Sequence, residues 1–384
     1  KIDWQGLEDE FSDLYSHTGQ PGMPIRMMVG LLLLKRIYNL GDETVMDQWL
    51  QNPYYQYFCG ESVFQWQYPC DPSDMVHFRK RIGKKGVEKI FRLSVELRED
   101  EIRTKDLLVD STAQEKNITY PTDAKLLIKV IKRCNKIADA EQITQRQSYR
   151  RTIKKLLLAQ RFAHHPKRKK KANAALRKLR TLAGRLVREL ERKLNEPALN
   201  AYAGELNLFH QVISQKRSDT NKIYSLHEPE VACIAKGKTH KKFEFGSKVS
   251  FAVVPGSNII VVVQTFLGNP NDSITLEPTL EHVDTSCGKK FKNVILDRGY
   301  KVKSQINGIT VVTPKPPNSK QPYSNTTMRK KCRKRAGVEP IIGHVKQYCR
   351  MQRNFLKGGK GDQINALLAA AGFNLKGLLN KIKE

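Results

Sequence analysis

The chain has 384 residues, with 68 Lys and Arg against 38 Asp and Glu, a formal charge of +30. Such an excess repels itself and suits a polyanion, with nucleic acid the first candidate and a membrane surface the second. No apolar run approaches the roughly 20 residues of a spanning helix, and seven cysteines without any C-x-x-C spacing exclude a disulfide scaffold and point to a reducing compartment.

A hydrophobic fraction of 39% supports two or three domains with cores of their own. No signal peptide is visible, and because the chain opens at Lys1 without Met, further residues are expected before it. Residues 1 to about 100 read as helical. "MPIRMMVGLLLLKRIYNL" has Pro near its start and Gly41 just past its end, as a helix should. "DETVMDQWLQN" reads as a short helix with an acidic start, and "DPSDMVHFRKRIGKKGVEKIF" offers Ser73 or Asp74 as N-cap before a basic segment with Arg79 and Arg81. A small DNA-binding bundle and a dimerisation domain with a solvated basic face both fit. Cys59, Cys70 and His77 form a conceivable zinc set, against the plainer reading of ordinary thiols.

In "KDLLVDST", Leu107, Leu108 and Val109 predict a short apolar strand ending at Asp110, and "AQEKNITYPTDAK" reads as turn. Residues 125 to about 200 change character: Leu176, Leu179, Leu182, Leu186, Leu190 and Leu194 recur at three- and four-residue spacing among Arg and Lys. This predicts an amphipathic helical hairpin whose Leu stripe is a packing seam. Its turn would be "HHPKRKKK", where Lys167, Arg168, Lys169 and Lys170 are candidates for phosphate contact, the alternative being a solvated loop tip.

After Pro197 the pattern turns to strands. "GSKVSFAVV" and "IIVVVQTFL", joined by "PGSN", predict a hairpin. "DSITLEPTLEHV" reads as a short helix, "NVILD" as a strand ending at Asp297, and "GITVVTPKP" as a further strand. An aspartate closing a buried strand is costly unless its charge is used. A strand–helix–strand connection favours parallel pairing, which would set Asp110 and Asp297 at one sheet edge.

A third acid follows. In "RAGVEPIIGHVKQYCRMQRNF", Pro340 marks a first helical turn and puts Glu339 at the N-terminal end, where the macrodipole favours a carboxylate. Lys346 shares its face, which Arg350 and Arg353 are expected to continue. Glu339 on its own also fits an ordinary basic helix. Together, three acids supply the hard oxygen ligands that two divalent ions about 3.5–4 Å apart require for phosphoryl transfer.

"LLVDST", "SLHEPEVACIAKGKTHKKFEFGSKVS", "NVILDRGY" and "VEPIIGHVK" followed by "RNFLKGGKGDQINALLAAAGFNL" resemble bacterial insertion-sequence transposases of the IS5 group, and the first hundred residues are similar to that family's helical domain. The resemblance spans nearly the whole chain. It implies an α/β fold: a ribonuclease-H-like mixed sheet with flanking helices, interrupted after its first strand by the basic helical hairpin and preceded by an all-helical domain. The implied boundaries are 1–100 for the helical DNA-binding or dimerisation domain, 101–124 and 206–384 for the catalytic core, and 125–205 for the insertion. It implies Asp110, Asp297 and Glu339 as catalytic, metal-holding residues, with two Mg²⁺ (or Mn²⁺) ions per site.

The implied activity is cleavage at transposon ends and transfer of the 3′-OH into target DNA. Its partners would be double-stranded DNA with terminal inverted repeats, target DNA and a second copy of the chain, with no membrane, in the bacterial cytoplasm at the nucleoid. A catalytically inactive DNA-binding derivative and a metal-dependent nuclease without strand transfer are the alternatives. Arg298, Lys346 and Arg350 are expected to hold DNA near the site, a surface ion pair being the alternative for Arg298. His227 and Lys248 are candidates for the cleft without a definite place, and His344 lies off the Glu339 face. "KGGKGDQ" lacks the Walker A order and reads as a loop before a final core helix. The insertion is expected to clamp DNA or pair two protomers, or else to pack as a lid.

Overall fold

A computed structural model describes residues 2–16, 18–19, 22–235, 241–314 and 326–383. The N-terminal helices are α1 (Trp4–Ser12), α2 (Ile25–Ile37), α3 (Asp42–Gln51), α4 (Pro53–Phe58) and α5 (Pro72–Glu96). Every residue of α2 from Met27 to Ile37 is buried, Lys35 and Arg36 included, because a helix apolar all round packs on all sides. The cap of α5 is Asp71 rather than Ser73 or Asp74; its side chain accepts from Ser73 N while Asp74 accepts from Asp71 N, a reciprocal box with Pro72 in the first turn. Gly83, with φ at +57°, breaks this helix after the basic segment.

Next come β1 (Asp106–Lys116), then α6 (Asp123–Ala140), α7 (Arg150–Ala159), α8 (Pro166–Lys193) and α9 (Glu196–Ser214). The chain continues with β2 (Ala232–Ala235), β3 (Phe243–Val254), β4 (Ile259–Phe266), α10 (Asp272–Glu281), α11 (Val283–Ser286), β5 (Asn293–Ile295), β6 (Gln305–Ile306) and β7 (Ile309–Val312). It ends with α12 (Thr326–Lys334), α13 (Val338–Tyr348), β8 (Arg353–Asn354) and α14 (Gly358–Lys383). Residues 236–240 of the long motif and 315–316 of "GITVVTPKP" lie outside the described residues.

The chain divides into two units, Lys1–Asn117 with Ile234–Glu384, and Ile118–Cys233. In the first, the strands run β4-β3-β1-β5-β7-β6, with β2 also joined to β3 and β8 to β1. β4–β3–β1 pair antiparallel, β1–β5–β7 parallel, and β6 returns antiparallel. This open mixed sheet with helices fits a ribonuclease-H-like domain. The expected β3–β4 hairpin is present, turning through Gly256 (φ +91°) and Asn258 (φ +57°).

One hydrophobic core joins the N-terminal helices to the sheet, so residues 1–100 do not form a core of their own. Asn374 on α14, fully buried, ties the layers together: its side chain accepts from Ile260 N (3.0 Å) and donates to Ile260 O (2.9 Å) and Ser94 Oγ (3.2 Å).

Strand β1 does not stop at Asp110. It runs on to Lys116 through the segment read as turn, because Asp110–Glu115 pair with Phe251–Gly246 and Glu115–Lys116 with β8. The buried polar residues of this half find partners on α14 and just before it. Gln114 Nε2 donates to Asp362 O (3.0 Å) and its Oε1 accepts from Asn365 (2.8 Å). Lys116 Nζ lies 2.8 Å from Asp362 Oδ1 and donates to Leu356 O (2.8 Å). Asp362 lies within "KGGKGDQ", which from Gly358 onward is the start of α14 rather than a loop.

The second unit has a core of its own. It contains four helices, not a two-armed hairpin; the Leu seam of α8 (Leu179, Leu182, Leu186, Leu190) packs with Leu127 and Ile131 of α6 and Phe209 of α9. The basic run lies in the first turns of α8, not in the connecting turn. Pro166 opens the helix and the His165 ring accepts from Lys167 N, so the turn falls at 160–165.

Candidate active site

The parallel pairing of β1 with β5 sets Leu108 opposite Ile295. Carried two residues further, the same register puts Asp110 level with Asp297. Beyond β5 the chain is kept in line by Leu296 N donating to Val312 O (3.0 Å). Each aspartate is oriented by the next backbone amide: Ser111 N donates to Asp110 Oδ1 (2.8 Å) and Arg298 N to Asp297 Oδ1 (2.7 Å).

The second oxygens converge on one atom. Arg335 Nη2 lies 3.7 Å from Asp110 Oδ2, 3.3 Å from Asp297 Oδ2 and 3.3 Å from Glu339 Oε1. Glu339 is the second residue of α13, where the helix start was expected. Arg335 begins a short 3₁₀ turn, Arg335–Gly337, that feeds α13. Before it, α12 is fastened to the start of β1 by Lys331 and Lys334, 3.4 and 3.2 Å from the Asp106 carboxylate. Sequence reasoning missed Arg335. The available signal was its position four residues before Glu339, one helical turn away on the same face.

Burial pushes the Asp110 carboxyl above its ordinary range, more than the Ser111 amide and Arg335 offset, and the neighbouring Asp297 and Asp272 carboxylates add to the rise. Burial, then Asp272 and Asp110, also push the Tyr300 hydroxyl up. Asp272 opens α10; it accepts from Ser111 Oγ and lies 2.8 Å from Lys248 Nζ on β3. Lys248 thus finds its place beside the acids, bonded also to Pro270 O (2.6 Å). His227, in the second unit, meets Ser225 Oγ at 3.0 Å through Nδ1.

Among the described residues, no group of three or more His, Cys, Asp and Glu stands close enough to hold one ion directly. The three acids are included, since Arg335 stands among them, and so are Cys59, Cys70 and His77. Yet three carboxylates from three elements already share one cation, and hard oxygen donors around a positive centre are what a divalent ion prefers.

The other candidates divide. Arg298 is exposed beside Asp297. Lys346 projects from α13, its Nζ 4.0 Å from Glu244. Arg350 and Arg353 do not continue the Glu339 face: α13 ends at Tyr348, Arg350 takes a left-handed φ of +59°, and Arg353 belongs to β8. Arg79 is buried with both terminal nitrogens on Asp42 (2.8 and 3.0 Å), and Arg81 lies over the Tyr15 ring at 4.3 Å. Lys167, Arg168, Lys169 and Lys170 are exposed on α8.

Residues 1–81 match the family model "Transposase domain (DUF772)", and residues 222–375 match "Transposase DDE domain". A Rhizobium meliloti protein, "Uncharacterized protein ORF8 in nfe locus", is 40% identical over 169 residues, 42% of this chain and 82% of that protein. The chain belongs to the DDE-type transposases. The DDE-domain match of this transposase contains Asp297, Arg335 and Glu339, whereas Asp110 precedes it. Transposase DDE domains act on DNA and generally use divalent metals. Among the described residues, no helix is long and apolar enough to cross a membrane.

Proposed function

We propose that this transposase, a member of the IS5 group, cuts DNA at the terminal inverted repeats of its own element and joins the freed 3′-OH to target DNA. The observation that carries this reading is the convergence of Asp110, Asp297 and Glu339 on the single Arg335 nitrogen. The three acids would hold divalent ions, Mg²⁺ or Mn²⁺, two to a site. Bound there, such ions stabilise charge developing on the phosphate and activate water for in-line displacement.

The chain's own residues contribute the rest. β1 and the segment just past β5 would be the mounts for the two aspartates, and the Ser111 and Arg298 amides orient one oxygen of each. Burial makes the Asp110 carboxylate expensive alone, so the site favours a cation at its centre. Arg335 fills that place when no ion does, and its fork of donors suits a DNA phosphate once displaced. Arg298 and Lys346 hold the backbone alongside. The exposed α8 cations and the Ile118–Cys233 unit grip DNA or a second protomer in a homodimer at the bacterial nucleoid.

Asp110→Asn, Asp297→Asn and Glu339→Gln each remove a ligand charge at constant size. Each should abolish Mg²⁺-dependent cutting of end-bearing DNA while retaining binding in a gel-shift assay. Near-normal cutting by any one of them removes that residue from the site, and cutting without end joining by the unaltered chain marks a nuclease.

A further inference from the structure

A second charged centre lies in the same unit, formed by α2, the start of α3, the start of α5 and the segment after α13. Lys35, Arg36, Arg79, Arg350 and Arg353 line one cleft of about 510 Å³. The carboxylates on its wall are Asp42 and Glu43, and Glu43 is exposed. Asp42 is already committed: Lys35 Nζ lies 2.6 Å from Oδ1, and Arg79 spans both oxygens at 2.8 and 3.0 Å.

Among the described residues, no carboxylate lies within ion-pair distance of Arg36. It is 3% exposed, its Nη1 reaches only the Arg350 carbonyl at 3.5 Å, and its Nε has no partner. The Nε of Arg79, 5% exposed, also lacks one. Buried, unpaired donors on a cation are costly, and an acceptor entering the cleft would offset that cost. Gly372 of α14 abuts the Arg36 backbone so closely that a Cβ there would lie 3.0 Å from its carbonyl carbon, which fixes where the guanidinium starts from. The first turn of α3, residues 42–44, also lines the cleft, and its N-cap Gly41 makes no side-chain cap bond.

We propose that this cleft is a phosphate receptor, centred on Arg36 and Lys35, that takes a phosphodiester of bound DNA. A phosphate brings the negative charge and acceptor oxygens that the cleft lacks, and guanidinium groups match it with paired bonds. Arg79 is a positioning residue here: it fixes Asp42, which in turn holds Lys35 in place. Burial and the neighbouring Arg36 and Arg79 lower the Lys35 ammonium to about 7, and burial with Arg79 and Arg350 lowers Arg36 to about 9. An incoming anion relieves both. The choice of DNA as the source rests on the transposase reading; the anion site does not.

The test uses the full chain and no cleavage, so its failure is separable from that of the catalytic assignment. Pyrophosphate, at constant ionic strength set with chloride, should raise Tm and compete with a plain DNA duplex. Arg36→Met should abolish the Tm shift without lowering the Tm of the free protein, because it removes an uncompensated buried charge. It should also weaken duplex binding roughly tenfold and reduce the salt slope by about one. Arg36→Lys should restore part of both.

Pyrophosphate stabilisation lost in Arg36→Met with duplex affinity unchanged overturns DNA as the source in favour of a free phosphate compound. An Arg36→Met chain that is less stable yet keeps its pyrophosphate shift makes Arg36 structural and overturns the proposal. Should that variant fail to fold, the unaltered chain decides: a Tm indifferent to pyrophosphate overturns the receptor, and a Tm rise with duplex competition supports it.

Discussion

Replacing Arg335 by Gln removes the charge that three carboxylates share and keeps much of the side-chain volume. The loss can be built up from exposure. Glu339, 67% exposed, forms an ordinary helix-surface pair of about 0.4 kcal/mol. Asp297, 44% exposed, contributes at most about 1 kcal/mol after solvent screening. Asp110 is 18% exposed, and breaking a buried pair costs roughly 3–5 kcal/mol, discounted to about 2 for its 3.7 Å contact and partial solvation. The total is about 3 kcal/mol, a Tm lower by roughly 5 °C.

Thermal unfolding in EDTA reads this directly. Adding Mg²⁺ should then raise the Tm of Arg335→Gln more than that of the unaltered chain, since in the variant the ion displaces no resident cation and takes over the neutralisation. Equal Tm values in EDTA, or a gap indifferent to Mg²⁺, would refute the idea that Arg335 stands in for the ions.

Asp110→Asn should stabilise the metal-free protein at neutral pH. The folded carboxyl is raised above its ordinary value near 3.8, so the folded state binds the proton more tightly and loses stability as pH climbs from that value through the raised one. Asn has no such loss; the Tm advantage should vanish below the ordinary carboxylate range, and an advantage that persists there refutes the assignment. Gly246→Ala should prevent folding or cost more than about 3 kcal/mol in urea melts, because a Cβ at Gly246 would overlap the Gln114 carbonyl oxygen across the β1–β3 pair; a mild effect would mean that the strands separate easily there. Duplex affinity should fall roughly 10³-fold or more between 50 and 200 mM salt if six or more phosphates are neutralised, as titration at several salt concentrations would show.

Local pattern carried part of this structure into the sequence. The apolar run Ile259–Leu267 after an alternating partner predicted the β3–β4 pair, and the parallel rule placed Asp110 and Asp297 at one sheet edge, which the β1–β5 register makes level. Pro340 located the start of α13 to within two residues. What failed was whatever depended on distant partners. The polar half of β1 reads as turn because Gln114 and Lys116 find their bonding groups some 240 residues later, near and on α14. The α8 basic run reads as a turn when only its charge is weighed, although Pro166 is a helix-opening residue. Arg335 escaped because the helix was begun at Pro340, which hid the turn before it.

The two charged centres of this unit are opposites, and the difference lies in how their charges are matched. Beside Asp110, midway along β1, three carboxylates share one guanidinium, an arrangement short of positive charge. In the cleft beside α2, Lys35 and Arg79 share Asp42 while Arg36 has no carboxylate within ion-pair distance among the described residues, an arrangement short of negative charge. The acid cluster runs against the chain's overall charge of +30, whereas the cleft concentrates it. Both sit on well-buried supports, β1 and α2, where an unmatched charge is costly and rearrangement is limited. A metal ion would complement the first and a phosphate the second, and the proposed cutting of DNA would bring both together when substrate is held.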